Sequence, residues 1–168
     1  MWRSFSKRMS VAAVVALTAA LAMSADAAVA EPFHLDFPAG TACTFGLAVD
    51  GTGGGNPPIR EFRDANGHVV RTIDAGRGSQ LTFTNLSSNA TIALPASGAV
   101  TDTVVNADGS QTVTLTGNNV LILFPSDVPA GPSTTLYVGR VVFTVDANQV
   151  FTLVSTSGTA RDICAELS

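Results

Sequence analysis

The sequence predicts an all-β protein: a single-domain sandwich of about ten strands, of jelly-roll or immunoglobulin-like kind. Three observations lead there. Apolar and polar residues alternate at period two along much of the chain, the pattern of half-buried strands. Clusters of Gly, Pro, Asn and Asp interrupt that pattern every 8 to 13 residues or so, a spacing typical of sandwiches and barrels. Two cysteines, Cys43 and Cys164, bracket the whole strand-rich region.

Taken in order, residues 31–41 carry Pro32 and Pro38 and read as a flexible lead-in, with the sandwich domain running over 42–168. Cys43, Phe45, Leu47 and Val49 alternate with smaller or polar residues and predict the first strand. The glycine-rich stretch 50–58 is a loop. Strands over 59–63 and 68–73 flank Asp64-Ala65-Asn66-Gly67, a hairpin signal, because Asn and Gly tolerate positive φ. Strands at 80–86 and 90–94 follow, then 99–105 and 111–116 around a second hairpin signal at Asn106–Ser110. Gly117-Asn118 reads as a turn. The unbroken apolar run Val120–Phe124 predicts a strand covered on both faces. A proline-rich loop leads to 134–146, one long strand or two bent at Gly139, then to strands near 149–155 and 160–165. No immunoglobulin Cys…Trp…Cys signature is present, since the single tryptophan is Trp2.

Residues 1–30 have the form of an export signal. Arg3, Lys7 and Arg8 precede an apolar stretch of about 13 residues, Val11–Met23, where a membrane span needs roughly 20. Ala28-Val29-Ala30 fits a small-x-small cleavage site, with the cut between Ala30 and Glu31. Without an Arg-Arg pair, the general secretory route is expected. The protein is therefore expected outside the cell, with no membrane span in its mature form. In that compartment the two cysteines are expected to pair as Cys43–Cys164, tying the first strand to the last. A redox pair needs Cys-x-x-Cys, and a tetrahedral metal site needs more ligands than two cysteines supply.

From Glu31 onward six arginines stand against twelve acidic residues, a net charge of about −6. That balance disfavours nucleic acid and anionic membranes as partners. No cofactor or metal motif is present: there is no Gly-x-Ser-x-Gly, no His-Glu-x-x-His and no phosphate loop. His34 beside Asp36, His68 beside Asp64, and the pair Glu61 and Asp74 on neighbouring strands are the few groups that suggest chemistry, and each also reads as a solvated polar group. Turn aspartates such as Asp50, Asp108 and Asp146 are good calcium ligands and equally good turn formers.

The candidate binding feature is the loop Pro125–Ser133. Pro125, Pro129 and Pro132 stiffen it, so less entropy is lost when a partner docks on Ser126, Asp127 and Val128. The same loop also reads as a structural crossover. Val120–Tyr137, Arg161–Leu167 and Cys43-Thr44-Phe45 resemble small, uncharacterised secreted proteins of actinobacteria. The resemblance covers most of the mature chain. It implies export from a high-GC bacterium and brings no catalytic or ligand residue. The expected function is a secreted, non-enzymatic binding or cell-surface module with an extracellular protein or cell-wall partner. The alternatives are a secreted hydrolase using loop carboxylates or His68, and an inhibitor or effector acting through the 125–133 loop.

Overall fold

The computed structural model describes residues 31–55 and 59–168; the expected export signal, residues 1–30, lies outside them. Ten strands form two antiparallel sheets. The small sheet has the order β1-β2-β5-β6, with β1 at Phe33–Phe37, β2 at Leu47–Thr52, β5 at Gln80–Asn85 and β6 at Thr91–Leu94. The large sheet has the order β10-β9-β8-β7-β4-β3. Its strands are β3 (Arg60–Arg63), β4 (Val69–Arg77), β7 (Gly98–Val105), β8 (Gln111–Leu123), β9 (Ser133–Val145) and β10 (Phe151–Asp162). A single helical turn, α1 (Ile163–Glu166), ends the chain, capped by Asp162 accepting from the Ala165 N–H at 3.0 Å.

Several elements differ from their sequence reading. The lead-in contains β1, which pairs along its whole length with β2. Cys43 lies in the turns before β2, and Cys164 lies in α1. The disulfide between them, with Cα atoms 5.5 Å apart, therefore joins a turn to a helix rather than two strands. Both hairpins are present: Asp64 and Asp108 fold their turns by accepting backbone N–H groups two and four residues on, or two residues on.

Gly117-Asn118 is no chain reversal. It lies inside β8, where Gly117 stands opposite Gly139 of β9, and Gly139 stands opposite Gly158 of β10. All three have positive φ: 97°, 146° and 95°. This row bends the large sheet. A straight 13-residue strand would be about 40 Å long. Yet the two ends of β8 come close together. Asp127 accepts from the Phe124 N–H at 2.7 Å and from the Phe151 N–H at 3.0 Å. Phe151 is paired to Val145, and Val145 to Gln111. Two strand spacings and one carboxylate thus separate Phe124 from Gln111, roughly 15 Å.

Folding at the glycine row creates two cores. On the inside of the bend, Leu121 and Leu123 share one cluster with Val113, Val141, Phe143 and Val145. On the outside, Val120, Ile122 and Leu136 pack against Leu47, Val49, Phe83 and Leu94 of the small sheet, with Ile163 and Leu167 from the C-terminal turn. The apolar run in β8 is accordingly covered on both faces, as its sequence predicts. Buried polar groups in the outer core are matched: Thr134 donates to the Ala42 carbonyl at 2.9 Å and Asn85 to the Leu167 carbonyl at 3.0 Å.

Candidate functional site

The proline-rich loop serves as a latch. Asp127 is buried, with both carboxylate oxygens occupied by the backbone N–H groups of Phe124 and Phe151. Val128 pairs with Thr152, donating to the Phe151 carbonyl at 2.8 Å and accepting from the Leu153 N–H at 2.6 Å. The loop thus closes the bent sheet by covering the free edge of β10. Pro125, Ser126 and Pro129 are exposed, Pro132 is half-buried, and the Val128 side chain is 51% exposed. Asp127→Ala leaves two N–H groups without acceptors. Each costs about 1–3 kcal/mol when enclosed, so a loss of about 2–4 kcal/mol is expected from urea denaturation. A loss below about 0.5 kcal/mol, the level of an ordinary surface change, would show that the latch is dispensable.

The groups considered for catalysis do not converge. The His68 ring is largely exposed and pairs with Asp64 at 3.4 Å. Glu61 is paired with Arg63. It stands opposite Thr72, so Asp74 lies two positions further along the same face. Asp146 is occupied by the Asn148 and Val150 N–H groups. Among the described residues no three His, Cys, Asp or Glu side chains are grouped to hold a metal. Backbone donors, chiefly from His68, hold the Asp64 carboxyl below its ordinary range, and the Ser110 hydroxyl does the same for Asp108. Both shifts belong to turn geometry.

His34 is more constrained than its lead-in position implies. It stands opposite Asp50 in the β1–β2 ladder, with its Nδ1 2.7 Å from Asp50 and its Nε2 3.2 Å from Asp36. Asp50, and then Asp36, raise its pKa above the usual imidazole value. A raised folded-state pKa stabilises the fold fully below the unfolded value of about 6.5 and ceases to do so as pH rises through the folded pKa. Proton exchange of the β1 amides is expected to gain protection below that window and lose it above, and His34→Gln should flatten the dependence. An NMR titration midpoint for His34 at or below about 6.5 would contradict this.

A pocket of about 470 Å³ lies between the sheets. Phe33, Leu81 and Leu94 line it from the small sheet, and Val120, Leu136 and Val138 from the large one. Its origin is the bend. Asn118 and Val138 adjoin the glycine row, and Ala99 stands opposite Gly117. Where the large sheet turns away, the inner face of the small sheet loses its cover and the interlayer space opens. Ser79, Ser97, Asn118, Asn119 and Arg161 add polar groups. The Nδ2 of Asn119 is enclosed and has no partner among the described residues. The Arg161 guanidinium is bound by Glu166 through Nε at 3.0 Å and one terminal nitrogen at 2.6 Å. This pair holds the Glu166 carboxyl below its ordinary range.

None of the six apolar lining residues was a candidate from sequence. Phe33 reads as lead-in and the other five as core; Leu94 and Leu136 do belong to the outer core, with Leu81 and Val120 packed against it, and the pocket opens at its margin. The one sequence trace is the glycine at the centre of each long strand. Fold and pocket together define a two-sheet β-sandwich with an interlayer cavity. No family model, curated protein or solved structure matches the chain.

Proposed function

We propose that this chain is an exported, non-enzymatic β-sandwich that binds a small apolar molecule in the pocket between its sheets. The observation that carries the reading is the pocket itself. Its volume of about 470 Å³ lies in the range of small-molecule sites, which are mostly apolar with a few placed polar groups. The unmatched Asn119 amide supports it, since well-packed interiors rarely leave a donor unmet. The Cys43–Cys164 disulfide and the form of residues 1–30 support an extracellular setting reached by the general secretory route, and the resemblance to actinobacterial secreted proteins agrees with it. No described helix is long and apolar enough to cross a membrane.

The test is titration with Nile red, an uncharged dye that brightens in apolar surroundings. One-to-one binding is expected, abolished by Val138→Trp, which fills the cavity. No brightening, or brightening that Val138→Trp leaves intact, would contradict the reading.

A second reading keeps the 125–133 loop as a contact surface for an extracellular or cell-wall partner. Its support is the half-exposed Val128 side chain on a backbone pinned by two hydrogen bonds to β10, which lowers the ordering cost of docking.

A further inference from the structure

We propose that the pocket takes an aliphatic carboxylate, its chain among Leu81, Leu94, Leu136 and Val138 and its head at Arg161. The inference rests on the pocket being a ligand site and adds the chemical class of the ligand. Arg161 is the one charged residue among those described as lining the pocket. Its one acidic partner, Glu166, is not among the lining residues. A wall that is mostly apolar, with the neutral polar groups of Ser79, Ser97, Asn118 and Asn119 and a single cationic side chain, matches a ligand with one anionic end.

The geometry places that charge at the end of the apolar surface. Arg161 stands directly opposite Leu136 across the β9–β10 ladder. Glu166 occupies two of the guanidinium's five N–H donors. The others donate to no described residue, so a ligand carboxylate can share the guanidinium with Glu166. An alcohol of equal length would bury the same chain without the charge-assisted bonds. An amine would place like charge beside Arg161.

The test is isothermal titration with dodecanoate, dodecanol and dodecylamine below their micellar concentrations. Dodecanoate is expected to bind at least about ten-fold more tightly than the other two, the factor that about 1.4 kcal/mol produces. Arg161→Gln should erase that preference and Arg161→Lys should retain part of it. Glu166→Gln, which releases the guanidinium, should strengthen dodecanoate binding. Equal affinity for dodecanoate and dodecanol, or a preference that survives Arg161→Gln, overturns the carboxylate assignment and leaves the pocket reading standing. Failure of all three ligands together with Nile red overturns both.

Discussion

Gly139→Val is expected to abolish the native fold or to lower its stability by more than about 4 kcal/mol, the range reserved for severe core or backbone conflicts. Two independent effects act at this position. The backbone has φ of +146°, a conformation that β-branched residues scarcely enter. A Cβ there would also lie 2.2 Å from the Ser157 carbonyl oxygen, part of the neighbouring strand's backbone. The row offers no relief, because Cβ atoms at Gly117 and Gly158 would meet the carbonyls of Gly98 and Val138 at 2.4 and 2.1 Å. Gly98→Ala is the control: nothing lies within 4 Å of its Cβ position, and a change within about 0.5 kcal/mol is expected. Equal urea midpoints for the Gly139 variant and the native protein would mean that the sheet does not bend there.

Replacing both cysteines with alanine is expected to cost about 2–5 kcal/mol. The bond spans 121 positions, a separation for which chain-entropy arithmetic gives roughly 5 kcal/mol. The variant should still fold, because its termini have other anchors. Ile163 and Leu167 are buried in the outer core, and Asn85 and Thr134 hold the Leu167 and Ala42 carbonyls. The effect thus acts mainly through the unfolded chain, whose ends are released. Thermal unfolding with and without reductant measures it directly. A native protein whose melting temperature is indifferent to reductant would contradict the structural role of the bond.

Period-two alternation made the two-layer all-β architecture legible, because burial of one strand face leaves that pattern in any sheet. The hairpins at Asp64–Gly67 and Asn106–Ser110 were legible for a local reason, their turn residues bonding their own backbone. β1 was hidden behind two prolines; Pro32 and Pro38 lie just outside its ends and do not interrupt its ladder with β2. The break placed at Gly117-Asn118 has the same composition as a turn, and only its registry with Gly139 and Gly158 identifies it as a bend. Strand order sets that registry, and strand order is a long-range property. The pocket was illegible for the same reason: Phe33 and Arg161 lie far apart in sequence and meet through a bend that no local pattern encodes. Asp127 reads from sequence as a group offered to a partner, but it is buried, with both carboxylate oxygens taken by backbone N–H groups, so its task within the loop is structural.

A methyl-resolved NMR titration with dodecanoate tests the ligand site most directly. Saturable shifts are expected at Leu81, Leu94, Leu136 and Val138, with Val113, Val141 and Val145 of the inner core unmoved. Shifts centred on Val128 of the proline-rich loop, or none at any methyl group, would contradict it.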